Sequence, residues 1–142
     1  MNSSPIDLSP LRKALTTLAE ASRFWVAEPA SSPLKPHLRS AVVRSYKFTY
    51  ELSIRALRRV LLERSAAADL IADMSFNDLL RKAADAGLQA DPATWRAWRE
   101  MRNTTSHAYG EAKAHAVASS APGFAADAQA LLQSLEASLA GA

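Results

Sequence analysis

The chain has 142 residues, no cysteine, and 17 Lys and Arg against 14 Asp and Glu, for a formal net charge of +3. That length suits one domain with its own core, and the missing cysteine excludes disulfides, thiolate metal sites and cysteine nucleophiles. With four glycines, abundant Ala and Leu and no alternating β-branched runs, the composition points to an all-α fold.

Met1–Asp7 reads as a loose lead-in without the charged, apolar, small-residue order of a signal sequence. No apolar run is long enough to span a bilayer, so the expectation is a cytoplasmic protein. Leu8, Leu11, Leu15 and Leu18 recur at helical spacing, and this first helix ends near Ala27, before Glu28-Pro29. Ser-Ser-Pro-Leu-Lys-Pro (31–36) is a connector whose two prolines forbid helix through it.

A long second helix is predicted from about His37 to Glu63. Val43, Tyr46, Tyr50, Ile54, Leu57 and Leu61 step by three and four residues and form one apolar stripe. Arg44, Lys47, Glu51, Arg55 and Arg58 follow the same spacing on a neighbouring face. Such a stripe is either a solvated helix face or a track for a phosphate backbone, and Glu51 fits the second only if it is paired. Phe48 and Leu52 lie off the main stripe and widen the apolar surface, which leaves room for a second copy of the chain.

Ser65–Asp73 reads as a small-residue link. Ser75 followed by Asp78 is an N-cap signal for a third helix that runs to Ala86 and stops at Gly87. Asp91-Pro92 opens a fourth helix with an N-cap and a proline at its first position. Trp95, Trp98 and Arg102 share one face of it, and core packing accounts for both tryptophans. Asn103-Thr104-Thr105-Ser106 favours a cap or turn over a helix interior. After Tyr109 the chain is helical to about Ser119, breaks at Pro122-Gly123 and resumes from Phe124 to Leu139.

Residues 1–64 carry eleven Lys and Arg against five acids, whereas residues 65–142 carry six against nine. A basic half beside an acidic half is compatible with nucleic acid, with an acidic protein partner or with head-to-tail association. His107, Glu111 and His115 are spaced for one helix face, but three ligands with no Asp or Cys nearby make a poor metal set, and no metal is expected. There is no glycine-rich phosphate loop and no support for a Ser-His-Asp or Cys-His hydrolase.

The remaining chemistry lies at Arg102 and His107. In an unbroken helix they would stand roughly 140° and about 7.5 Å apart; a break at the Asn-Thr-Thr-Ser cluster would swing both into one cleft. Arginine grips phosphate bidentately and histidine exchanges protons near neutral pH. The isolated spacing arises by chance in roughly one such chain in four, so by itself it does not separate a site from a helix end with an exposed Arg.

Arg102-Asn103 followed by Ser106-His107-Ala108-Tyr109 resembles the Arg-x4-His-x-Tyr signature of HEPN domains encoded beside minimal nucleotidyltransferases, the HepT-like nucleotidyltransferase substrate-binding family. Phe48-Thr49-Tyr50-Glu51-Leu52, Leu80-Arg81-Lys82-Ala83 through Ala86-Gly87-Leu88, and Trp95 shortly before Arg102 are similar to the family's surrounding pattern. The resemblance covers Leu8 to Leu139 in layout and residues 76–113 in detail. Lys47, where an acid is expected, and the Pro122-Gly123 break depart from it.

The resemblance implies an up-and-down helical bundle of about five to six helices, dimerising so that two Arg-x4-His segments share a cleft. It implies a metal-independent endoribonuclease without cofactor, the toxin of a bacterial type II or type VII-like toxin–antitoxin pair. Arg102, His107 and Asn103 would be catalytic, with Tyr50 and Glu51 as candidate supporting residues. The partner would be a cognate minimal nucleotidyltransferase that transfers AMP to Tyr109, and the substrate RNA. The alternative is a non-catalytic, substrate-binding subunit of a two-chain nucleotidyltransferase. Cleavage without a metal needs a base for the 2′-hydroxyl, an acid for the leaving 5′-oxygen and a cation for the phosphorane. One chain offers one suitable histidine, and a two-fold dimer offers two.

Overall fold

A computed structural model of the chain describes residues 6–64, 68–88, 90–105 and 110–141. Its described residues form six helices and no strand: α1 (Ser9–Ala27), α2 (Lys35–Arg64), α3 (Ala68–Ala72), α4 (Phe76–Asp85), α5 (Pro92–Thr105) and α6 (Glu111–Ala140). The fold is all-α, as the composition predicts, and has the six-helix bundle that the resemblance implies. α1, α2 and α6 pack on one another, α5 lies on α2 and α6, and α4 on α5 and α2. No helix among the described residues is long and apolar enough to cross a membrane.

α1 buries Leu11, Leu15 and Leu18, the stripe seen in the sequence, together with Leu8 just before it. α2 begins at Lys35, two residues earlier than expected, with Pro36 inside its first turn. Proline is harmless there, because the first-turn N–H groups have no intrahelical acceptor. Lys35 Nζ holds the start of α2 to the end of α1 by donating to the carbonyl of Trp25.

The buried arc of α2 is wider than the predicted stripe. Tyr46, Tyr50, Leu57 and Leu61 are buried as expected, but so are Val42, Ala56 and Val60, while Val43 and Ile54 are only half-buried. The cause is packing against several helices at once. Thr49 and Ser53 are buried with them and satisfy their hydroxyls on carbonyls, Thr49 donating to Ala14 O and Ser53 to Thr49 O at 2.8 Å.

The supposed link after α2 contains a helical turn, α3. Ile71 in it is buried, and Arg58 Nη1 donates to the carbonyls of Ile71 and Met74 at 3.0 Å each. α4 follows its predicted caps: Ser75 Oγ accepts from the Asp78 amide, and Gly87 closes the end at φ 79°, a conformation glycine adopts without strain.

The largest correction concerns α6, which is one continuous helix through Pro122 and Gly123. Placing this pair inside a helix costs about 4 kcal/mol relative to alanines. Against it stand Val117, Phe124, Leu131, Leu132 and Leu135, all buried along one face that spans the proline. Each large apolar side chain contributes ~1.5–3 kcal/mol, and a break would take one half of the face off the bundle. Tertiary burial therefore overrides local propensity.

Candidate functional site

An aromatic cluster sets the position of α5. Phe124 of α6 lies 4.4 Å, centroid to centroid, from Tyr46, 5.9 Å from Trp95 and 5.7 Å from Trp98. Tyr46 Oη donates to the Trp98 carbonyl at 2.9 Å, and Trp98 Nε1 donates to Asp127 Oδ2 at 2.8 Å. The Trp98 ring also lies against Gly123, where a β-carbon would sit 3.4 Å from Cη2, at ordinary van der Waals distance. Trp95 is fully buried and Trp98 half-buried, so the core reading of both holds. α5 is thus pinned to both α2 and α6 one turn before Arg102.

α5 starts at its predicted cap, with Asp91 Oδ2 accepting from the Thr94 amide at 3.0 Å and from its hydroxyl. These bonds, the backbone one first, hold the Asp91 carboxyl below its usual range. The helix continues through Asn103, Thr104 and Thr105 rather than stopping at Asn103. Both threonines return their hydroxyls to the preceding turn, Thr104 to Glu100 O at 3.1 Å and Thr105 to Arg102 O at 2.6 Å. That back-bonding lets them extend the helix. His107 and Tyr109 lie outside the described residues. Gly110 follows them, immediately before α6.

Beside this end of α5 runs an open cleft of about 570 Å³ between α2 and α5. Arg55, Arg58, Arg59, Arg99, Arg102 and Asn103 line it, with Tyr50 and Ile54 on its apolar side. Among the described lining residues Glu51 is the one acid. Arg102 Nη2 donates to Glu51 Oε1 at 3.0 Å, the side chains being 30% and 37% exposed. Arg102 Nε is buried and meets no acceptor among the described residues. A buried donor left so costs about 1–3 kcal/mol.

Tyr50 is buried behind the arginines. Burial pushes its phenol up to about 12, opposed by the nearby positive charges of Arg99 and Arg102. It therefore remains a neutral donor at physiological pH. Arg99 packs over the Phe76 ring, with Cζ 4.6 Å from the centroid, and Arg58 is committed to the carbonyls of Ile71 and Met74. His115, on α6, stands edge-on to Trp25 at 5.4 Å.

Of the predicted site residues, the structure brings Arg102, Asn103, Glu51 and Tyr50 to one cleft. Arg59 and Arg99 were not singled out in the sequence, although Arg99 lies three residues before Arg102 and so on its side of the helix. Glu51 has the partner its place in a basic stripe demanded.

A family model described as nucleotidyltransferase substrate binding protein like matches residues 6–137. The chain belongs to this family. It is 31% identical over 135 residues to a probable ribonuclease HepT of Haemophilus influenzae, covering 95% of this chain and 92% of that one. A solved structure from Haemophilus influenzae, HI0074, described as having the fold of a substrate binding domain of a nucleotidyltransferase, superposes with a TM-score of 0.80. That match is 30% identical and covers 92% of this chain and 99% of the other. As a HepT-like member of the substrate-binding family, the chain has the relatives that its Arg-x4-His-x-Tyr segment predicts.

Proposed function

We propose that this HepT-like protein is a metal-independent endoribonuclease of a toxin–antitoxin pair, working as a homodimer. The observation that carries the reading is Arg102: a guanidinium held by Glu51 in an arginine-lined cleft. A scissile phosphate would accept from the Nη donors that Glu51 leaves free, which neutralises the phosphorane charge. His107, five residues on, would take the 2′-hydroxyl proton. His107 of a second copy would protonate the leaving 5′-oxygen. Asn103 would orient the histidine or the phosphate through its amide.

The family description supports a nucleotidyltransferase as partner. Transfer of AMP to Tyr109 would put a phosphodiester and an adenine next to Arg102, occupying the place of substrate. The test is cleavage of RNA by the purified chain in EDTA, with a 2′,3′-cyclic phosphate as product. Arg102→Ala and His107→Ala should each abolish it without unfolding the protein. No EDTA-resistant cleavage, and no growth arrest on expression of the chain alone, would refute the reading. For the switch, co-expression with the neighbouring nucleotidyltransferase followed by mass spectrometry should place an AMP adduct on Tyr109. Neutralisation of an unmodified chain would refute it.

A further inference from the structure

Five arginines line the cleft, but three of them have settled positions: Arg58 on two carbonyls, Arg99 over Phe76 and Arg102 on Glu51. Arg55 and Arg59 differ. Both are exposed, and neither is engaged by a partner among the described residues. They stand one helical turn apart on α2, a rise of about 6 Å, which is the scale of the step from one phosphate to the next along a nucleic acid strand.

Their place in the fold is specific. Both line the Arg102 cleft, and both also line a second, smaller hollow of about 160 Å³ beside the start of α1. The two side chains therefore form the ridge between the hollows. The floor of the smaller one is apolar, made by Leu8, Leu11, Leu52 and Ala56. Its acid, Asp7, is occupied in accepting from the Ser9 amide and hydroxyl at 2.9 and 2.6 Å. A strand leaving the cleft in this direction meets two cations at the crest and an apolar floor beyond it.

We propose that Arg55 and Arg59 form a second phosphate-binding subsite, which grips a single-stranded RNA next to the scissile phosphate and leads its unstacked base to the hollow by α1. The subsite rests on the ribonuclease reading of the Arg102 cleft. Single-stranded RNA is the ligand that fits. Attack by the 2′-hydroxyl needs a sugar free to turn in line with the leaving oxygen, and unstacked bases need a surface to lie on. The predicted basic stripe is thereby revised: Arg58 and Glu51 have structural partners, while Arg59, outside the stripe, joins Arg55.

The experiment uses the full chain and its Arg55→Gln/Arg59→Gln variant with a trinucleotide, a longer unpaired RNA, and a 2′-O-methyl version of the longer strand that cannot be cleaved. In the variant, KM for the longer RNA should rise at least about tenfold, with kcat within about twofold and Tm unchanged. The trinucleotide, too short to reach both hollows, should lose several-fold less than the longer strand. The slope of log Kd for the 2′-O-methyl strand against log salt should fall by about 1.4, or ~0.7 for each phosphate contact on a single strand. The Arg55→Lys/Arg59→Lys variant should recover most of the slope, because lysine keeps the charge.

An unchanged KM and salt slope would overturn the subsite while leaving the ribonuclease reading intact. Unchanged RNA binding with lost binding to the nucleotidyltransferase would also overturn it, and would assign the two arginines to a protein interface. If wild type binds the 2′-O-methyl strand through Arg55 and Arg59 but never cleaves RNA, the subsite is supported and the ribonuclease reading fails.

Discussion

Glu51→Gln isolates what the ion pair on Arg102 contributes. Arg102 Nη2 and Glu51 Oε1 are 3.0 Å apart, and both side chains are about a third exposed. Solvent screens such a pair, so its loss costs under about 1 kcal/mol of stability, or roughly 3 °C in Tm for a chain of this size. The functional effect should be much larger. A charge-assisted hydrogen bond is about twice as strong as a neutral one, and it is the contact that holds the Arg102 guanidinium at the cleft. Misplacing a catalytic group by about an ångström can cost ~100-fold, so kcat should fall about 10- to 100-fold, equivalent to ~1.4–2.7 kcal/mol in the barrier. KM should stay level or fall, because the variant removes the one acid among the described lining residues. Michaelis curves on an unpaired RNA in EDTA, beside a thermal melt, measure both. A kcat within twofold of wild type, or a Tm loss of more than about 10 °C, would refute a positioning role for Glu51.

Three further outcomes follow from the packing. Tyr50 holds its proton up to about pH 12 when folded and to the ordinary value of 10.0 when unfolded. Its contribution is thus fully present below pH 10 and lost as pH rises through 12, and Tyr50→Phe should flatten the alkaline fall in stability seen in urea titrations. Pro122→Ala restores an N–H to the interior of α6 and should stabilise the chain by about 2 kcal/mol; a loss of stability would contradict one continuous helix. Gly123→Leu should drive the Trp98 ring off α6, shifting tryptophan fluorescence to the red and lowering activity, whereas Gly123→Ala, at 3.4 Å from the ring, should be neutral or slightly stabilising.

Much of this molecule was decided locally. The α1 leucines, the Ser75 and Asp91 caps, Gly87 at φ 79° and the long α2 each depend on spacing within a turn or two of helix, and such short-range constraints are written in the sequence itself. Arg102, Asn103 and the residues after them were legible as a candidate site for the same reason, because the signature occupies a few consecutive positions. Tertiary structure decided what depends on partners far along the chain. It carried α6 through Pro122-Gly123, since burial of a face spanning the proline exceeds the local cost of the pair. It paired Glu51 with Arg102, fifty-one residues away, and turned Arg58 from a member of a basic stripe into a clamp on α3. It also brought Arg59 of α2 to the cleft of Arg102, because which side chains share a cleft depends on how α2 and α5 cross, and helical periodicity along one segment does not contain that angle.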